Sequence, residues 1–308
     1  MLFERINTYL DKELLKRYGY SVAGITCKAK LIANRLLRYL LKYIRRGVYS
    51  KWNVLKKPFD VITCTFLSDD GLLVVGNDET VMMVVKREYE ECYHKILSNV
   101  LTEDSIFIDV GAHLGTFTLR AARKCINGLV LAFEPDPRVY PFLLRNIMLN
   151  NLKNVIALPI ALHNRRGTSR FYVSKISGIS TLMQYHHIMD VRNAEEVIVP
   201  TLPLDDVVEI VDISRVDIIK IDVEGAEHYV IEGATKTIER HRPILLIEFH
   251  GKEQWKEVAR TLATLGYEII VLHKYPFCEY CWNTVAYWKH DTKVKKLIVR
   301  LVPKIDTR

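Results

Sequence analysis

Residues 107–118 read Phe107-Ile-Asp109-Val-Gly111-Ala112-His113-Leu-Gly115-Thr116-Phe-Thr118, an apolar run that leads directly into a helix start. Glycines at such a junction let the backbone bend sharply and approach a ligand, and the helix start offers unpaired N–H groups. A dinucleotide fold places G-x-G-x-x-G here to hold a pyrophosphate. In this chain the spacing is G-x-x-x-G, His113 stands at the middle glycine, and Asp109 lies two residues before Gly111. A pyrophosphate gains nothing from that acid. A ligand bearing an ammonium and a sulfonium suits it better.

The same texture continues downstream. Glu134, in Ala-Phe-Glu134-Pro135-Asp136, ends the next strand at the distance where a Rossmann-like sheet places an acid on ribose hydroxyls. A third run, Asp217-Ile-Ile-Lys220-Ile-Asp222-Val-Glu224-Gly-Ala-Glu227, alternates so that Lys220 and Asp222 share one side and Ile219 and Ile221 the other. Its acids collect at the carboxyl end of a strand, where open α/β sheets bind ligands. Buried, they need partners. A Lys220 pair with Asp222 or Glu248 is structural, whereas Asp222, Glu224 or Glu227 facing a cleft is functional. Ile247-Glu248-Phe-His250 ends the following strand at the same edge, and His250 has the titration range of a general base.

Strands are expected at 106–110, 129–134, 155–158, 217–222 and 244–249, with helices at 117–126, 138–150, 225–239 and 253–265. Two further strands, 267–272 and 284–288, have no helix between them. The pattern predicts an α/β, doubly wound, mostly parallel sheet with an antiparallel C-terminal strand. Before it, 61–66, 71–75 and 81–85 form a small β-meander and 88–99 a linking helix. The expected divisions are a basic helical segment 1–57, the meander and helix 58–102, the ligand-binding domain 103–290 and a basic tail 291–308.

The 308 residues carry a net charge of +8, unevenly spread. Residues 1–60 hold 14 Lys/Arg against 4 Asp/Glu and 289–308 hold 7 against 2, whereas 61–288 hold 23 against 30. A mildly acidic body with basic ends argues against nucleic acid and leaves two uses for the amphipathic segment 31–46: docking on its own domain, or peripheral contact with a membrane. No apolar run reaches a membrane span, and no secretory signal is visible, so a cytoplasmic location is expected. The six cysteines are sparse and suit reduced thiols. Cys278-Glu-Tyr-Cys281 reads as a loop with two thiols, since no second pair stands at zinc-ligand spacing.

Taken together, the segments resemble the FkbM family of methyltransferases, which is similar to other class I S-adenosylmethionine enzymes. The matching pieces are residues 108–118, Ala132–Pro137 with 143–150, Pro159–Leu162, Ser180-Thr-Leu182, Pro200–Asp206, Ile218–Ala234 and Arg242–His250. The family commonly has Asn at His113 and Ser at Thr181. The resemblance implies S-adenosyl-L-methionine as cofactor, held by Asp109, Gly111, Ala112, His113, Gly115, Thr116, Glu134, Pro135, Ala161 and Asp222. It implies Lys220, Asp222, Glu224 and His250 as catalytic residues, and O-methylation of a small-molecule, glycan or lipid-linked hydroxyl. A metal-dependent variant would use Asp222, Glu248 and His250. The Asp-Asp-Asn set of catechol-type enzymes is not clearly present, and no metal is assigned. The alternatives are a nucleotide-binding oxidoreductase, disfavoured by the missing G-x-G-x-x-G, and a non-catalytic membrane-associated relative.

Overall fold

The computed structural model describes residues 64–68, 70–76, 90–174, 180–183, 194–274 and 281–301. The expected helix at 31–46, the strand at 81–85 and Cys278 lie outside the described residues. Seven strands form the central sheet: β3 (Ile106–Val110), β4 (Leu129–Phe133), β5 (Val155–Leu158), β9 (Ile218–Ile221), β10 (Ile244–His250), β11 (Tyr267–Lys274) and β12 (Cys281–Trp288). Their order is β11-β12-β10-β9-β3-β4-β5. The strands β5, β4, β3, β9 and β10 run parallel, and β12 is antiparallel to both β10 and β11. The chain builds outward from β3 to β5 and then returns to β9 on the other side of β3. That reversal is the topological switch point, where crevices open at the carboxyl ends of strands.

Alternation along the buried strands feeds two cores. Ile108, Val110, Leu131, Phe133, Ile219, Ile221 and Ile247 face one side of the sheet, where α4 (Leu204–Val211), α5 (Glu227–Glu232), α6 (Thr235–His241) and α7 (Lys252–Thr264) pack. Phe107, Val130, Ala132, Ile218 and Leu246 face the other, covered by α1 (Glu91–Val100), α2 (Thr116–Lys124), α3 (Tyr140–Leu149) and α8 (Thr292–Leu301). Lys220 and Asp109 interrupt the second face and are cross-strand partners. Apolar burial on this scale, at about 25 cal/mol per Å², makes the sheet a rigid platform for its loops.

The antiparallel hairpin β1 (Cys64–Leu67) and β2 (Leu73–Gly76) is tied to α3. The Asn146 side chain accepts from Val75 N and donates to the carbonyls of Val75 and Leu114. Several features depart from the sequence expectation. A small sheet of β6 (Ala161–Leu162), β8 (Glu195–Leu202) and β7 (Gly167–Val173) was not foreseen. The single helix expected over 225–239 divides into α5 and α6. Gly233 lies at the division, pressed so closely on strand-end backbone that a Cβ there would sit 2.2 Å from the His163 carbonyl oxygen. Asp205 caps α6 from outside, accepting from Lys236 N and Thr237 N. Finally, Cys281 is disulfide-bonded, against the expectation of reduced thiols, which holds for Cys92 and Cys125.

Candidate active site

The end of β3 is pressed onto the end of β9. A Cβ on Gly111 would lie 1.8 Å from the Asp222 carbonyl oxygen, and its φ of +79° belongs to the left-handed region that favours glycine. The amides of Gly111 and Ala112 both donate to the Phe133 carbonyl, which locks the bend to β4. His113 also has positive φ, at 51°, and Gly115 (φ 97°) caps the helix carrying the buried Thr116. Non-glycine residues at positive φ are held there by their surroundings and often mark functional sites.

Glu134 closes the far side of this bend. Its Oε2 accepts from His113 N and its Oε1 from Asp136 N, each at 2.8 Å. Burial pushes its carboxyl up to about 8, against the pull of those two amides. Each oxygen keeps a second acceptor site, so paired hydroxyls of a ligand would complete the shell. Pro135 is half-buried beside it. Asp109 lies deeper, fully buried, accepting from the Thr118 hydroxyl, with Oδ1 lacking a hydrogen-bond partner among the described residues. Burial raises its pKa, opposed by Lys220. Ala161 is set in the small sheet, paired with Thr201.

At the ends of β9 and β10 the charged residues converge. Lys220 Nζ donates to Asp222 Oδ2 at 2.8 Å. Burial disfavours the ammonium, but Asp222, Glu90 and Asp109 outweigh it and hold Lys220 charged. Asp222 is raised by burial to about 6, with Lys220 acting against the rise. His250 stands among four carboxylates. Its Nδ1 is 2.9 Å from Glu227 Oε1, and its Nε2 is 3.5 Å from Glu224, 3.6 Å from Glu248 and 3.9 Å from Asp222. Burial favours the neutral ring, yet Glu224, Glu227 and Glu248 hold its pKa well above the ordinary histidine value. Glu224 has φ 53° and Gly225 φ 101°, and the Gly225 amide donates to Glu227 Oε1. The tight turn therefore aims two acids at one imidazole.

All four expected catalytic residues thus meet at one edge, next to the glycine bend. Glu227, weighed in the sequence but left out of that set, proves to be the partner of His250 Nδ1. Glu90 was missed altogether: it is buried, accepts from Asn283, and is raised well above the ordinary carboxyl range by burial and then by Glu248. Nothing in Glu88-Tyr-Glu90-Glu91 distinguishes the buried acid from its neighbours. The Ser180–Leu182 run bridges the two halves. Ser180 donates to Asp136, and the Thr181 hydroxyl donates to the Glu224 carbonyl.

Residues 109–269 match the family described as the methyltransferase FkbM domain. Methyltransferase 1 of Beauveria bassiana is 32% identical over 146 residues, covering 42% of this chain and 59% of that protein. The hexuronic acid methyltransferase AglP of Haloferax volcanii is 28% identical over 182 residues, covering 58% of this chain and 71% of that protein. A crystal structure of methyltransferase FkbM from Methylobacillus flagellatus superposes with a TM-score of 0.44 at 16% identity, over 68% of this chain and 54% of that one. The chain therefore spans about three fifths of the first relative's length and about half of the solved structure's.

Proposed function

Because the chain belongs to the FkbM family of methyltransferase domains, we propose that it transfers a methyl group from S-adenosylmethionine to a hydroxyl of a sugar or similar small acceptor. One observation carries this reading: a glycine bend closed by a buried carboxylate adjoins an acid–histidine cluster at the switch point of one sheet. The bend suits the methionine end of the cofactor, with Asp109, Gly111, Ala112, His113, Gly115 and Thr116 around it. Glu134 accepts from the ribose hydroxyls, with Pro135 alongside. The acceptor hydroxyl enters beside Asp222 and Glu224.

In the reaction the acceptor oxygen attacks the methyl carbon in line with the sulfur. The carbon–sulfur bond breaks as the carbon–oxygen bond forms, leaving S-adenosylhomocysteine and an ether. The hydroxyl proton passes to the Asp222 carboxylate, with Glu224 and His250 beside it and Lys220 balancing the charge. Asp222, raised to about 6, is more basic than an ordinary carboxylate yet still ionised near neutrality. Alignment and exclusion of water supply most of the rate. The AglP relative, named for hexuronic acid, makes uronic-acid glycans the first acceptors to try.

The test is calorimetry with S-adenosylmethionine, followed by transfer of labelled methyl groups to uronic-acid glycans. Above pH 8, where the carboxylate is formed, Glu134→Ala is expected to weaken cofactor binding by about 1.5–3 kcal/mol, the worth of hydrogen bonds to a charged group. Absence of cofactor binding by the wild-type chain would overturn the reading.

A further inference from the structure

We infer that Asp222, Glu224 and His250 form a binding site for one divalent cation of the Mg²⁺/Mn²⁺ type, a site that deepens the methyl-transfer reading and rests on that reading for its chemical use alone. Three observations carry it. One ligand atom from each residue lies within 4.8 Å of the other two. Metal–ligand bonds of about 2.1–2.4 Å permit separations up to about 4.8 Å across a single ion. Two carboxylates and an imidazole are donors that such cations accept.

The histidine is also prepared in the manner that metal ligands require. Glu227, fully buried, faces Nδ1 at 2.9 Å and so fixes the ring with Nε2 toward Asp222 and Glu224. A carboxylate holding the far nitrogen is the usual outer support of a metal-bound histidine. The Gly225 amide donates to the same Glu227 oxygen, which ties this support to the turn carrying Glu224.

The third observation is a further buried carboxylate at the same face. Glu248 is 6% exposed, its Oε1 lies 3.6 Å from His250 Nε2, and its Oε2 has no hydrogen-bond partner among the described residues. Buried carboxylates without a full set of partners cost several kcal/mol each. A dication at the Asp222–Glu224–His250 face would meet these carboxylates and leave open positions for an acceptor oxygen, whose proton it would make easier to release.

The experiment titrates Mn²⁺ into the full chain without cofactor, following loss of the free-ion signal by electron paramagnetic resonance. The same samples are then titrated with S-adenosylmethionine by calorimetry. Wild type is expected to bind one Mn²⁺. Glu224→Gln should weaken this at least tenfold, and Glu227→Gln about 10–100-fold, the usual effect of losing an outer partner. Glu103→Gln, an exposed acid before the start of β3, should leave it unchanged. Circular dichroism confirms that each variant is folded. If Glu224→Gln does not fold, Glu227→Gln decides. No Mn²⁺ binding by wild type, or binding indifferent to Glu224→Gln and Glu227→Gln, would overturn the site. Cofactor binding without Mn²⁺ binding defeats this inference alone. Mn²⁺ binding without cofactor binding defeats the methyl-transfer reading and leaves the cation site standing.

Discussion

The glycine bend and the acid–histidine cluster meet at one sheet edge but are held by opposite means. In the bend, main-chain geometry does the positioning: Gly111 and Ala112 amides fasten to Phe133, and Glu134 is gripped by two backbone N–H groups. In the cluster, side-chain charges hold one another, as Lys220 does Asp222 and Glu227 does His250. The first region should therefore tolerate changes of side-chain charge better than an added Cβ. The second should tolerate changes of volume better than a lost charge. Buried ion networks fail most sharply when one partner is removed, because the remaining charges have no water to turn to.

Lys220→Met tests the cluster with the largest effect expected. It keeps most of the volume but leaves Asp222, Glu90 and Asp109 without their shared cation, which should cost about 3–5 kcal/mol in urea unfolding. A loss below about 1 kcal/mol, typical of exposed ion pairs, would mean that the network is already water-screened. Gly111→Ala tests the bend. Left-handed strain and overlap with the Asp222 carbonyl together should cost about 2–4 kcal/mol and reduce cofactor affinity. Gly71→Ala is the control, since Gly71 has a similar φ of +77° but no atom within 4 Å of the added Cβ. It should show the strain alone, and equal losses at both glycines would remove the argument from close approach.

What the sequence disclosed follows the same division. The central strands and the Lys220/Asp222 alternation were legible, because period-2 patterning in a buried parallel sheet carries its own signal. The bend was legible because only glycine allows its geometry. The small sheet of β6, β7 and β8 was not, since Gly167–Val173 and Glu195–Leu202 mix exposed and buried positions without a long apolar run. The break between α5 and α6 depends on contact with the His163 carbonyl, seventy residues away in the chain. Glu90 entered the site for a similar reason. It approaches β12 through tertiary packing, with Tyr93 bonded to Thr284 beside it, and no local pattern encodes that meeting.

A pH titration sharpens the comparison from the side of Glu134. Its carboxyl rises from an ordinary value of 4.5 to about 8 on folding. Unfolded chains therefore release this proton first, and the Glu134 contribution to stability is fully present below pH 4.5 and lost as pH rises through about 8. The cofactor-free protein should lose on the order of a few kcal/mol across that window from this residue. Glu134→Gln should flatten that part of the profile, so the difference between wild type and variant isolates Glu134 from Asp222. Cofactor affinity of the wild type should strengthen as pH rises through about 8, where the folded protein forms the carboxylate that accepts ribose hydroxyls. A pH-independent difference would show that solvent or a neighbouring group already stabilises the anion.

The smallest effect is expected at His113, and its smallness is informative. The residue holds φ at 51°, and its amide donates to Glu134 Oε2. Asparagine and histidine both enter the left-handed region more readily than most residues. His113→Asn preserves the donor and the backbone angle, so stability and cofactor affinity should each change by no more than about 0.5 kcal/mol. His113→Val, β-branched and ill suited to positive φ, should cost about 1–2 kcal/mol more than the asparagine variant. Thermal unfolding and calorimetry on the pair separate the two contributions. If asparagine weakened cofactor binding as much as valine did, the imidazole itself would be a ligand contact, and position 113 would no longer act through its backbone alone.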